Sequence, residues 1–239
     1  MSEQEKPKKF RNIVLDTLNG LLTEEVIKTY TENTQPTFTD WRDYGVGILD
    51  LVNFIKTIPN VIPVAVLGAE GTGKTVGASF LNPEETYYIN LDKKPLSFKG
   101  WSKVYKAGKI AEGGNYNNTI SDFNTLKKLI GTIQPQAENP LIIYVLGHLE
   151  NYKFGGQEMS RLKVTGKMAH KYSIDGLFHH CYYTYIDASK QWNDVDRYQL
   201  ITANLDGNMT ARTPMGTWDK SHIPNNFQTI TEKILEEYQ

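Results

Sequence analysis

The segment Gly68-Ala69-Glu70-Gly71-Thr72-Gly73-Lys74-Thr75 packs three glycines, a lysine and a hydroxyl into a short loop directly after the apolar run Val61–Leu67 (VIPVAVL). Its spacing is G-x-x-x-x-G-K-[ST], which binds phosphate when a strand precedes it and a helix follows. Glycines let the backbone curl so that successive N–H groups face an anion. A helix beginning beyond Gly73 would add the partial positive charge of its N-terminus. On this reading Gly68 to Val76 cradles a nucleoside triphosphate, Lys74 reaches its β- and γ-phosphates, and the Thr75 hydroxyl ligates Mg2+.

Hydrolysis would need more: a carboxylate in the magnesium shell and a group that orients the attacking water. Between Thr75 and Gly176 no apolar strand ends cleanly in such an acid. Two strand ends carry polar groups where ligands of parallel sheets bind. Asp92 follows the run Tyr87–Leu91, and His148 and Glu150 follow Leu141–Leu146. The bland alternatives are a solvated turn acid at Asp92 and hydrogen-bonded loop residues at His148 and Glu150.

Lysines 93, 94, 99, 103, 106 and 109 fall in a stretch without an acid, interleaved with Phe98, Trp101 and Tyr105. Lysines neutralise phosphates and aromatic faces stack on unpaired bases. Lys99, Trp101, Lys103 and Lys106 are thus expected to contact single-stranded DNA. The competing reading is a solvated loop whose aromatics pack on the body. His179, His180 and Cys181 invite a metal reading, but neighbouring strand residues point to opposite faces and no spaced second pair accompanies them. Cys181, the sole cysteine, reads as a small buried side chain and excludes an internal disulfide.

These residues need elements to position them. Strands are expected at Val61–Leu67, Tyr87–Leu91, Leu141–Leu146, Phe178–Ile186 and Tyr198–Ala203, with helices at Val46–Lys56, after the glycine loop, at 121–133, at 163–172, and after a cap at Asn225. Residues 10–30 read as short amphipathic helices, residues 93–119 as irregular, and Gly155-Gly156 as a turn. The alternation predicts an α/β fold with a mostly parallel central sheet flanked by helices, the later strands forming an antiparallel extension. Residues 1–45 would be a tail with short helices, and 46–239 the nucleotide-binding domain.

Across 239 residues, 39% apolar and 22% charged content is that of an ordinary globular protein, and a net charge of -1 offers no global field for nucleic acid. No run approaches the ~20 apolar residues of a membrane span, and the polar first ten residues contain no signal-peptide core. The expectation is a cytoplasmic protein, in host cytoplasm if the gene is viral.

In order and spacing, the blocks GAEGTGKT, YYINLDKKPLSFKG, LIIYVLGHLE, KVTGKMAHKYSIDGLF, TARTPMGTW and IPNNF resemble those of phage-encoded, RecA-like P-loop ATPases, some of which anneal single strands. The resemblance spans about Val61 to Tyr238. It implies ATP as the nucleotide, Asp92 as the water-activating acid, His148 as the γ-phosphate sensor, and Arg212 as a phosphate contact within or between subunits. It also implies a homo-oligomer, because such sites commonly lie at subunit interfaces. Relatives carry a further strand ending in the magnesium-shell Asp between the KPLSF block and the H-x-E strand. Here that interval, NYNNTISDFNTLKKLIGTIQPQAENP, reads as loop, helix and loop.

The leading expectation is a phage-type recombination or replication ATPase that binds single-stranded DNA and turns over slowly or only on DNA. The alternative is a nucleotide-binding assembly or regulatory protein in which ATP is a structural ligand. A small-molecule phosphotransferase ranks last, for want of an arginine-rich lid and an acceptor-binding acid pair.

Overall fold

A computed structural model describes residues 11–16, 51–90, 95–104, 110–112, 135–163, 174–205, 207 and 209–238. The runs VIPVAVL (β2, Val61–Leu67) and LIIYVLG (β5, Leu141–Gly147) are apolar at nearly every position, so they suit strands buried on both faces of a parallel sheet. They pair in parallel from Val61↔Leu141 to Leu67↔Gly147. Pro63 sits where β2 is still unpaired on its other side, since β8 (His180–Ile186) joins only from Val64, and such a setting tolerates proline.

With β1 at Asn12–Asp16, β3 at Thr86–Asn90, β4 at Ile110–Glu112, β9 at Tyr198–Ile201 and β10 at His222–Pro224, the full order is β10-β9-β8-β2-β5-β1-β3-β4. The six strands from β8 to β4 run parallel. β9 (Tyr198–Ile201) and β10 (His222–Pro224) add the antiparallel extension that the sequence predicts.

Side-chain parity divides the core in two. Ile62, Val64, Val66, Ile142, Tyr144 and Leu146 point to one face, where Phe227, Ile230 and Ile234 of the C-terminal helix Phe227–Glu237 cover them. Ala65, Leu67, Ile143 and Val145 point to the other, against Leu51, Val52 and Ile55 of the helical residues 51–57. Tyr144 stacks on Phe227 at 4.5 Å and donates its hydroxyl to the Phe227 carbonyl. Each such buried apolar side chain contributes about 1.5–3 kcal/mol. Burial also pushes the Tyr144 phenol well above its usual range, so it remains a neutral donor.

Three expectations change. Within the segment read as amphipathic helices, Asn12–Asp16 is β1, an interior strand buried at all five positions between β5 and β3. Its apolar core, Ile13-Val14-Leu15, is too short for periodicity to separate helix from strand, and pairing on both edges decides. The region assigned to an N-terminal appendage therefore supplies the middle of the sheet. In the stretch read as irregular, Ile110–Glu112 (β4) pairs with β3 (Thr86–Asn90) and Trp101–Val104 is helical. The Gly155-Gly156 turn is present at positive φ, but it joins a polar hairpin of β6 (Leu149–Phe154) and β7 (Gln157–Leu162) whose exposed strands have no apolar run to announce them. The helices expected at 121–133 and most of 163–172 lie outside the described residues.

The helix expected after the glycine loop is a five-residue 3-10 turn, Val76–Phe80. It brings little macrodipole, so an anion at this loop would depend on the loop N–H groups and Lys74. At the C-terminus the cap is Asn226, whose side chain accepts from Gln228 and Thr229, one residue later than predicted. Asn225 is diverted to the glycine loop.

Candidate functional site

Residues 68–75 leave β2 at the carboxyl edge of the sheet, where α/β proteins bind ligands. Gly71 and Gly73 adopt φ of 73° and 91°, the left-handed region that a glycine enters freely. A Cβ at Gly68 would lie 1.7 Å from the Thr184 hydroxyl, so this position has no room for a side chain. Thr184 on β8 meets the Thr72 hydroxyl at 2.6 Å, and Thr72 in turn donates to the Ala69 carbonyl at 2.7 Å. Asn225 donates to the Gly73 carbonyl at 2.6 Å. The loop is thus tied to β8 and to the end of β10.

Lys74 is 7% exposed, and its ammonium donates to the carbonyls of Gly68 and Ala69 at 2.9 and 2.7 Å. It also lies 3.3 Å from His148 Nδ1. His148 is where the sequence analysis puts it, half-buried just past β5, and it lines the same cleft. Glu150 turns away into an ion pair with Arg161 at 2.7 Å on the hairpin.

Beside Thr75 stands a carboxylate that the sequence reading does not single out: Asp16, the last residue of β1. It is 6% exposed, and its Oδ2 accepts from the Thr75 hydroxyl at 3.3 Å and from the Tyr88 hydroxyl on β3. Asp16 shares its sheet face with Val14 and Tyr88, the face from which the 3-10 turn springs. The signal was present as N-I-V-L-D, an apolar strand ending in acid. It lies upstream of the glycine loop, outside the interval from Thr75 to Gly176.

Asp16, Glu70, Gly71, Gly73, Lys74, Thr75, Val76, Asn90, Pro95, Leu96, Ser97, His148 and Tyr198 line one cleft of about 370 Å³. An Asp carboxylate beside a Thr hydroxyl fits a hard cation that takes oxygen ligands and shares them with phosphate. Among the described residues no group of three or more His, Cys, Asp or Glu side chains forms a protein-only metal cage.

Asp92, Lys106 and the Lys103 side chain lie outside what the structure describes. Lys99 is exposed, while Phe98 and Trp101 are partly buried against the core on the sheet face that the C-terminal helix also covers. Arg212 does not line the cleft. Its guanidinium donates to the carbonyls of Asp175, Gly176 and Phe178, and its backbone bridges Cys181. Its role within this chain is to clamp the turn that leads into β8.

Cys181 is buried, and burial raises its thiol far above the reactive range. His180 is also buried, which lowers its pKa to about 4, with His179 adding to the shift.

Compared with protein-family models, curated proteins and solved structures, the chain has no match in any of the three. Fold and sequence together define a class only: an α/β protein with a mostly parallel sheet and a glycine-rich loop at its carboxyl edge. Among the described residues no helix is long and apolar enough to cross a membrane.

Proposed function

We propose that this protein binds ATP with Mg2+ over residues 68–75 and acts as a RecA-like P-loop ATPase of the phage recombination or replication type, assembling as a homo-oligomer on single-stranded DNA. The observation that carries the reading is the Thr75–Asp16 hydrogen bond at 3.3 Å, beside Lys74 and His148. It joins the two oxygen groups that a nucleotide-bound magnesium ion takes, one on the loop after β2 and one at the end of β1. A magnesium ion bound there would neutralise charge on the terminal phosphates.

The chain's own groups then divide the work. Loop N–H groups and Lys74 hold the phosphates, exchanging the carbonyls of Gly68 and Ala69 for phosphate oxygens. Asp16 and Thr75 hold the cation. His148, within reach of Lys74, is placed to feel the terminal phosphate. Asp92 remains the proposed water-activating acid.

The alternative without turnover drew its support from the absence of a strand ending in a carboxylate, and Asp16 removes that support. The deciding experiment measures ATP hydrolysis with and without oligo-dT for the native chain and Lys74→Ala. DNA-stimulated turnover that Lys74→Ala abolishes supports the ATPase reading. ATP binding with no turnover on DNA returns the chain to the structural-nucleotide alternative, and failure to bind ATP overturns both.

A further inference from the structure

The cleft is asymmetric about β2. Asp16, His148 and Asn90 come from β1, the end of β5 and β3, all on one side of β2 in the sheet. Tyr198 opens β9, on the other side of β2 beyond β8. Lys74 and Thr75 stand between them. A nucleotide whose terminal phosphates and cation meet Lys74, Thr75 and Asp16 must direct its nucleoside away from the carboxylate. In that direction the wall of the cleft is Tyr198.

Tyr198 has the right face and a fixed position. It shares strand parity with Leu200, which packs with Val64, Val66 and Phe227 on the face that carries the 3-10 turn and Asp16. Its ring lies directly on the phosphate loop, since a Cβ at Gly73 would sit 2.4 Å from Tyr198 Cδ1. Asn225 donates its backbone N–H to the Tyr198 carbonyl at 3.1 Å and its side-chain amide to the Gly73 carbonyl at 2.6 Å. One residue thus ties the Tyr198 main chain to the loop while the ring packs on Gly73, and a ring packed in place before binding loses little freedom when a ligand arrives. Tyr198 is half-buried, and among the described residues it is the only Phe, Tyr or Trp that lines the cleft; the other ring, His148, stands on the far side of Lys74.

We propose that Tyr198 is the platform on which the base of the bound nucleotide stacks, which makes it the residue selecting a nucleotide over a bare polyphosphate. The proposal rests on the nucleotide-binding reading above and adds the polarity of the ligand: terminal phosphates toward β1, base toward β9. Stacking depends on the π-face and not on the phenol hydroxyl, and a purine presents more face than a pyrimidine.

The test is calorimetric titration of ATP, CTP and tripolyphosphate into the full chain and into Tyr198→Ala, Tyr198→Leu and Tyr198→Phe. Loss of one base–aromatic stack should weaken ATP about tenfold. Tyr198→Ala and Tyr198→Leu are expected to show that loss, with a smaller one for CTP and tripolyphosphate affinity preserved. Tyr198→Phe should bind all three as the native chain does. Tyr198→Leu keeps apolar bulk against Gly73, so it carries the test if Tyr198→Ala does not fold. Undiminished ATP affinity in the Leu variant, or equal losses for ATP and tripolyphosphate, overturns the proposal, the latter leaving Tyr198 as a support for the loop. Failure of the native chain to bind either ligand overturns the nucleotide-binding reading beneath it, an outcome the variants cannot mimic.

Discussion

Asp16 places one carboxylate oxygen between two hydroxyls, Thr75 on the loop and Tyr88 on the neighbouring strand. When a cation takes the Thr75 side, the Tyr88 hydrogen bond still fixes the carboxylate's rotation, the arrangement by which outer-shell donors orient metal ligands. Asp16→Asn is expected to abolish the gain in ATP affinity that Mg2+ confers while leaving magnesium-free ATP binding nearly unchanged. Tyr88→Phe should raise the Mg2+ concentration needed for half-maximal binding about tenfold. Both are read from Mg2+ titrations of nucleotide binding, a quantity that simple destabilisation of the fold does not move.

His180 makes a separate prediction, for stability against pH. Its folded pKa of about 4 lies below the unfolded value near 6.5, because burial opposes the charged ring and His179 adds repulsion. The Glu237 carboxylate 3.6 Å from Nε2 would favour protonation, but burial outweighs it. Below pH 6.5 the unfolded chain takes up a proton that the folded chain refuses. This contribution is therefore fully present above pH 6.5 and is lost progressively as pH falls to 4, by on the order of 3 kcal/mol. Denaturant titrations of the native chain and His180→Gln across that window should show a shallower decline in the variant.

Among elements, β1 is the one whose position matters most. Paired in parallel to β5 and β3 and buried throughout, it cannot be removed as a tail would be. Deleting residues 1–16 opens the sheet between β5 and β3, so the product should lack cooperative unfolding by circular dichroism. The β6–β7 hairpin behaves differently. Its Phe154 is 71% exposed and Phe154→Ser should shift stability by less than about 0.5 kcal/mol. Leu162, buried where β7 meets the core, should cost about 2–5 kcal/mol when cut to Ala. The hairpin also starts at the site, since Leu149 follows His148 and the Lys163 N–H donates to the His148 carbonyl at 2.7 Å.

For the whole molecule, a net charge of -1 means that any grip on single-stranded DNA is local. Phe98 and Trp101 spend part of their surface on the core, so Lys99, Lys103 and Lys106 should carry most of the proposed binding through phosphates. Fluorescence anisotropy with oligo-dT is expected to weaken steeply with salt. Replacing the three lysines with Ala should lower the slope of log K against log salt by about 2, at roughly 0.7 per single-strand phosphate contact. An unchanged slope places the DNA surface elsewhere.

Local chemistry made much of this architecture legible. Val61–Leu67 and Leu141–Leu146 are long apolar runs bounded by Pro and Gly signals, and they form strands within a residue of where they are read. The glycine loop is legible because its conformation depends on which residues lack a Cβ, and sequence states that directly. Asp16 carries a local signal, N-I-V-L-D, but Phe10 to Leu22 fits helical spacing as well as a short strand, so that signal alone does not decide. Only hydrogen bonds to β5 and β3, distant in sequence, select the strand. Tyr198 was invisible as a site residue for a similar reason: nothing near it in the chain says that its ring rests on Gly73.

The sequence by itself determined the glycine-rich loop, the α/β class and the strand edge from which that loop leaves, because these follow from backbone freedom and apolar runs within a few residues. Only the tertiary structure decided which carboxylate faces Thr75 and which aromatic faces Gly73. Both depend on the order of strands in the sheet, and that order is set by parallel pairing among β1, β2, β3, β5 and β8, segments about 70 to 130 residues apart.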